Sequence, residues 1–375
     1  MGIKIYYYII AAVVLLGIFM PQEGRNRKNY IIIMAALHTF VCGFRYQFLT
    51  GDLQKYQWNY KDYLNYGWFS DEIIQEGRNT GFQIFMKLIS TLTNGNFQIF
   101  LIIIAIIIES AVAVLIFRYS PKPWLSYLVW NCLGFYIFGF SAIKQALAMA
   151  LIMYAMVGIL ENDPKRFLIY TLLAGFVHMP ALAFLPAYWL AKRKINVITI
   201  LSYIGAAGVI YVFRNPIVSF ISELYYEEET IDLFQNTLDG LGGRFFLIVL
   251  ILVCGIVLKG FREKNFESIF NMIVVAAIFQ MFSGFDNVFT RFADYFFQFA
   301  ILYIPMLFYE AKGNVPYNRT YMQPLLLFEE RSIQLLIMVL TVILVWYYYI
   351  TCLGVPIANP VDDYLNFRFM WDVVG

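Results

Sequence analysis

The chain has 375 residues, of which 61% are hydrophobic and 14% charged, with a formal net charge of +2 and a mean hydropathy of +0.66. Soluble domains are about 45–50% apolar and about 25% charged, so this composition excludes an ordinary soluble fold, and the small net charge carries no nucleic-acid signature. Apolar runs near the length that crosses a bilayer core of about 30 Å recur from end to end, and they are continuous rather than alternating, which excludes a transmembrane barrel. Backbone polar groups in lipid must then pair within helices, and the expected fold is all-α, a polytopic transmembrane helical bundle.

In chain order, the run Ile5 to Met20 lacks the small-residue cleavage site of a signal peptide and is expected to persist as a helix over 3–20. Further spanning helices are predicted at 28–44, 97–117, 123–140, 142–160, 195–213, 243–259, 267–284, 291–309 and 331–353. Residues 82–93 are apolar but short and run into Thr93-Asn94-Gly95-Asn96, which predicts an interfacial or re-entrant helix. His178-Met179-Pro180 interrupts the apolar stretch 166–191. Proline breaks a helix, so two helices are predicted, 166–177 and 180–191, with a corner at His178. The count is about 11–12 membrane helices, including broken or re-entrant ones. No repeat or linker divides the chain, so one membrane domain over 1–375 is expected, with an outer loop 45–81 carrying the interfacial segment, an outer acidic loop 214–242 and an outer tail 354–375. Cys42, Cys132, Cys254 and Cys352 each sit in or beside an apolar run without a close partner in sequence, and read as packing residues.

Basic residues in short loops set orientation. The loops 21–28, 118–122, 161–166, 192–194, 259–264 and 310–331 are basic and all fall on one side of the predicted bundle, which carries 16 Lys/Arg against 8 Asp/Glu. The other side carries 11 against 16, with Glu109 left out because it lies inside a span. The basic side is therefore expected to be cytoplasmic.

Six basic residues depart from that rule. Arg45, Lys144, His178, Arg214, Arg244 and Arg291 project to the outer side at helix ends or corners. A cation at membrane depth costs about 2.5–3.5 kcal/mol, and such groups either snorkel to the headgroups or line a cavity and meet an anion. Convergence would make one basic, water-filled pocket at the outer face. Arginine forks match phosphate or carboxylate, and a pocket open to lipid suits a lipid-linked phosphate or pyrophosphate. His38, inside helix 28–44 with no proline corner, reads as a packing histidine. Asp286 and Asp294 flank Arg291 as potential ion-pair partners, whereas Asp62, Asp71 and Glu227 to Glu229 read as solvated. Tyr56, Trp58, Tyr60, Tyr63 and Trp68 in the outer loop present apolar faces with polar tips, suited either to sugar rings or to a membrane interface.

Four segments together resemble the EpsG family, related to the Wzy-type polysaccharide polymerases. They are Gly43-Phe44-Arg45-Tyr46 with Thr50-Gly51-Asp52 and Tyr56, Phe140-Ser141-Ala142-Ile143-Lys144-Gln145, Gly175-Phe176-Val177-His178-Met179-Pro180, and Thr290-Arg291-Phe292 with Tyr295-Phe296. The chain departs from the family pattern at three of them: Thr-Gly-Asp stands where the family has Gly-Thr-Asp, Lys144 stands where Arg is usual, and His178-Met179-Pro180-Ala181 stands where His-x-Ser-Ala is more common. The resemblance implies a Wzy-like, GT-C-like bundle with an outer-face cavity in the bacterial cytoplasmic membrane. It implies a polysaccharide polymerase moving a growing glycan from undecaprenyl pyrophosphate to a lipid-linked repeat unit, without a cofactor or metal. On this reading His178, Arg291, Lys144 and Asp52 are catalytic, with His178 the first candidate base and Asp52 the second. Arg45, Arg244, Arg214, Gln145, Tyr56 and Asp294 bind pyrophosphate or glycan. Its implied partners are the lipid-linked oligosaccharide, membrane lipid, a repeat-unit flippase and a chain-length regulator, with no nucleic acid. Two other readings fit part of the pattern: a membrane acyltransferase acting on surface glycans, which lacks a second catalytic histidine here, and a lipid-linked oligosaccharide flippase, which lacks the usual internal repeats.

Overall fold

The computed structural model describes residues 4–58, 60–74, 79–218, 241–259, 264–285, 287–308, 330–353 and 367–372. Glu227 to Glu229, Asp286 and most of the loop 310–331 lie outside them. The described residues are helical, with one isolated β-bridge between Arg45 and Phe369. The chain divides into two compact units, residues 1–182 with 330–375, and residues 183–329.

The first unit opens with α1 (Lys4–Phe19) and α2 (Gly24–Gly43), then α3 (Gly51–Trp58), α4 (Thr80–Thr93) and α5 (Phe97–Tyr119). It continues with α6 (Pro123–Cys132), α7 (Phe135–Phe138), α8 (Ile143–Leu160) and α9 (Pro164–Val177). Helix α5 is 23 residues long and mostly apolar, with Glu109 near its middle; at about 1.5 Å per residue it outreaches a bilayer core of about 30 Å. It packs on α2 and α8, and α8 packs on α9. The antiparallel α2–α5 pairing is tied at one end by Arg27, whose Nη2 donates to the carbonyls of Phe117 and Ser120, both at 2.9 Å. A cation there satisfies the orphan acceptors at the C-terminus of α5.

Local chemistry sets most of the boundaries. Asn96 caps α5 by accepting from the Ile99 amide at 3.2 Å, and Asn94 closes α4 in the left-handed region at φ 51°. Asp163 caps α9 by accepting from the Arg166 amide at 3.0 Å, just before Pro164. The expected helix 123–140 is broken into α6 and α7, because Gly134 turns at φ 83°, a conformation open to glycine and costly for residues with a Cβ. Past His178 the chain does not form the expected second helix over 180–191. Pro180 and Pro186 instead give a 3₁₀ segment, Met179–Phe184, and the short α10 (Ala187–Leu190).

The second unit holds α10, α11 (Val197–Val212), α12 (Gly243–Cys254), α13 (Lys264–Gln280), α14 (Asn287–Phe297) and α15 (Ala300–Leu307). The expected helix 291–309 is interrupted between α14 and α15. The unit is held by Phe266 stacked on Tyr303 at 4.9 Å and by Phe279 stacked on Phe292 and Phe296 at 5.6 and 5.7 Å. The carboxylate of Glu267 accepts from the Ile195 amide at 3.0 Å, and the Asn271 amide donates to the Arg193 carbonyl at 2.9 Å.

The last long helix, α16 (Glu330–Tyr348), continues as a π-helical turn to Leu353 and belongs to the first unit. Among the described residues, three helical stretches are long and apolar enough to cross a membrane, Phe97–Tyr119, Ile143–Leu160 and Ser332–Leu353. Shorter apolar helices occur in both units, and α11 has no buried residue, exposing Ile198, Leu201 and Ile204. Apolar faces this continuous suit a lipid environment.

Candidate functional site

In the first unit, Arg45 follows α2, and its backbone is fixed from both sides. Gln98 of α5 donates to the carbonyls of Gly43 at 2.6 Å and Arg45 at 3.4 Å. On the other flank, the Tyr46 amide donates to the Arg368 carbonyl at 2.8 Å and the Met370 amide to the Phe44 carbonyl at 2.9 Å. The Arg45 side chain has zero solvent exposure. Its Nη1 donates to the Cys42 carbonyl, and its guanidinium lies 5.5 Å from the centre of the Phe140 ring. Among the described residues, Nε and Nη2 have no hydrogen-bond partner. A guanidinium offers five N–H donors, so this is a buried cation with much of its donor capacity unused.

Phe140 leads into the turn that opens α8, whose first residues are Ile143, Lys144 and Gln145. Lys144 is half-buried, and Gln145 is buried on the opening turn. His178 is the C-cap of α9, leaving the helix at φ −149° and ψ 103°, and is half-buried. Its amide donates to the Ala174 carbonyl at 2.8 Å, and its own carbonyl accepts from the Ala181 amide at 2.9 Å. This is the predicted corner, and it leaves the imidazole at a helix end rather than in a helical face. Asp52 stands in the first turn of α3 beside Lys55, 3.9 Å away, with its side chain about half exposed. Tyr56 of α3 packs edge-on to Phe82 of α4 at 5.4 Å.

The aromatics of the loop 45–81 separate into two sets. Tyr60 and Tyr63 are buried, Tyr60 against Phe97 and Phe100 at 5.1 and 5.2 Å, and burial raises both phenol pKa values. Trp58, Trp68 and Phe69 are exposed. The loop is pinned to α4 by Lys87, whose Nζ donates to the Tyr63 carbonyl at 2.6 Å, and by Ser90, whose hydroxyl donates to the Tyr60 carbonyl at 3.1 Å.

In the second unit, Arg244 at the start of α12 forms an ion pair with the buried Asp294 of α14 and lies 5.2 Å from the Phe297 ring centre. Asp294, expected to partner Arg291, thus has its close ion pair with Arg244. Arg291, three residues earlier on α14, is exposed. Arg214 follows α11 with its guanidinium 4.0 Å from the Tyr211 ring centre.

Three features of the first unit were not singled out as functional by the sequence. Glu109 is buried in the middle of α5 with Oε2 unpartnered. It lines a small cavity with Cys42, Trp130, Tyr136, Gly139 and Met149. A lone acid in an apolar run was the available signal. The second is Lys87, and the third is the segment Phe367–Asp372 beside Arg45, which no motif marks. His38, by contrast, is the expected packing histidine. Its Nδ1–H donates to the Met34 carbonyl at 2.7 Å, leaving Nε2 to accept from Asn131 at 2.9 Å.

These features define a class: a helical protein with membrane-length apolar helices and a set of basic side chains at helix ends and corners. The chain belongs to the EpsG family, a family of Wzy-like polymerases, whose model matches residues 28–358. That span contains Arg45, Lys144, His178 and Arg291. No curated protein and no solved structure matches the chain.

Proposed function

We propose that the protein extends a polysaccharide at the outer face of the bacterial cytoplasmic membrane. It transfers the growing glycan from undecaprenyl pyrophosphate to a lipid-linked repeat unit. The observation that carries this reading is the EpsG match over residues 28–358, which includes every motif bearing an outer-side cation. The acceptor sugar hydroxyl attacks the anomeric carbon of the donor, the bond from that carbon to the pyrophosphate oxygen breaks, and the hydroxyl proton passes to a base. The chain's task is to stabilise charge gathering on the leaving pyrophosphate and to accept that proton.

Arg45, Lys144 and Arg291 are the candidates for the first task, with Arg214 and Arg244 binding more peripherally and Asp294 fixing Arg244. His178 is the candidate base and Asp52 the second. Gln145 and Tyr56 are assigned to glycan contact. In this reading the polymerase holds an outer-face aqueous cavity of Wzy-like form, fed by a repeat-unit flippase and governed by a chain-length regulator. The test is polymer formation from lipid-linked repeat units by Arg291→Ala, Lys144→Ala and His178→Ala at matched protein levels. Each is expected to lose at least about tenfold in rate, the usual scale for a charge-stabilising or proton-transfer group. Wild-type polymer from any one removes that residue from the site, and wild-type polymer from all three removes the mechanism.

A further inference from the structure

The residues around Arg45 suggest how an anion reaches a side chain that has no exposure. The two amide-to-carbonyl bonds, Tyr46 to Arg368 and Met370 to Phe44, set an antiparallel register in which Arg45 and Phe369 face each other as a non-hydrogen-bonded pair. In such pairs the two side chains stand on one face with their Cβ atoms about 5 Å apart. Phe369 is buried and stacks on Trp371 at 4.7 Å, and Phe367 packs 6.0 Å from Phe140, the ring that also meets the Arg45 guanidinium. The segment thus lies along Arg45, and Phe140 is shared between the segment and the cation.

We propose that Phe367–Asp372 is a removable cover over an anion site centred on Arg45, closed in this structure and lifted to admit a pyrophosphate group. Two observations argue for it. Nε and Nη2 of Arg45 are buried without a partner, a costly state that an entering anion would relieve by bidentate hydrogen bonding. The cover also belongs to no helix: two backbone hydrogen bonds join it to residues 44–46, and otherwise it is held by ring contacts, Phe367 with Tyr6 and Phe140, Phe369 with Phe40, and Trp371 with Phe40 and Phe44. The inference rests on the polymerase reading for the identity of the anion, and on the geometry alone for the movement.

A disulfide lock tests it. In the whole chain, Tyr46→Cys with Arg368→Cys places two cysteines at facing positions of the same register, with each single variant as control. Polymer formation and binding of inorganic pyrophosphate are measured oxidised and reduced. The oxidised lock is expected to weaken pyrophosphate binding and slow polymer formation by at least about tenfold, as a shrinking open population dictates, and reductant is expected to restore both. If pyrophosphate binding follows the lock while neither form makes polymer, the cover stands and the polymerase reading falls. Oxidised protein that binds pyrophosphate like the reduced form overturns the cover, as does reduced protein that binds none. Should the double variant fail to accumulate, Phe369→Ala decides the matter: a severalfold faster association of pyrophosphate supports the cover, and an unchanged rate overturns it.

Discussion

The two histidines of this chain show how neighbours decide a residue's use. His38 has both ring nitrogens committed, Nδ1–H to the Met34 carbonyl and Nε2 to Asn131, whose amide also donates to the Tyr127 carbonyl at 2.7 Å. The Tyr136 hydroxyl donates to the His38 carbonyl at 2.9 Å. With Nδ1 donating and Nε2 accepting, the ring is neutral and has no capacity left for substrate. His38→Ala strands the Asn131 amide in the core, and leaving a buried partner unsatisfied costs about 1–3 kcal/mol. Thermal denaturation of the purified chain should show that loss, while polymer formed per folded molecule stays near wild type. A variant of full stability and no activity would make His38 a site residue instead. His178 differs because its helix ends on it: its backbone bonds are spent on the corner, and the residue is half-buried there rather than enclosed in the core.

At the scale of elements, close approach between α8 and α9 depends on Gly158. A Cβ there would lie 2.6 Å from the Phe167 amide nitrogen and 3.0 Å from the Asp163 carbonyl oxygen, both backbone atoms of the following turn and helix. Gly158→Ala must therefore push α9 away, and overpacking of this kind costs about 1–3 kcal/mol. A lowered melting temperature is expected, and an unchanged one would mean that the hairpin yields freely. A second element is the loop 60–74, suspended from α4 through Lys87. Lys87→Met keeps the apolar stem but removes the donor to the Tyr63 and Leu64 carbonyls, so limited proteolysis should cut faster within residues 60–74, and an unchanged digestion pattern would count against that anchoring role.

Most helix positions were legible because an apolar run and a capping asparagine or aspartate are both local signals. The breaks were less so. Gly134 splits a continuous apolar run, and its left-handed conformation follows from how α6 and α7 pack, which spacing does not record. The pairing of Arg244 with Asp294 joins residues fifty positions apart, and the bridge between Arg45 and Phe369 joins segments from opposite ends of the chain. Contacts at such separation leave no period in the sequence. The candidate cations were legible one by one, as charges out of place. The burial of Arg45 and the exposure of Arg291 were not, because the apolar pattern puts both at similar-looking helix ends, whereas α14 starts at Asn287 and carries Arg291 in its second turn.

For the whole molecule, the deciding question is sidedness. The basic loops agree on one side only if the stretch after Pro164 runs out and returns, with His178 at its far end. Along that stretch α9 is a helix of 14 residues with Leu168, Ile169, Leu172 and Leu173 exposed to its surroundings, and a 3₁₀ segment with α10 follows the corner. Fourteen residues rise about 21 Å, short of a bilayer core of about 30 Å, so the corner is expected near the outer boundary rather than beyond it. Asp163 and Lys192 should therefore share a side, although an apolar stretch lies between them, and Lys55 in α3 should lie opposite. Single cysteines at these three positions, compared with the parent chain as blank, can be probed with a membrane-impermeant maleimide. Lys55→Cys should label in intact cells, whereas Asp163→Cys and Lys192→Cys should label only after permeabilisation. Labelling of Lys192→Cys but not Asp163→Cys in intact cells would make the stretch a single crossing and move His178 to mid-membrane. It would also break the agreement among the basic loops, and with it the case for an outward-facing basic site.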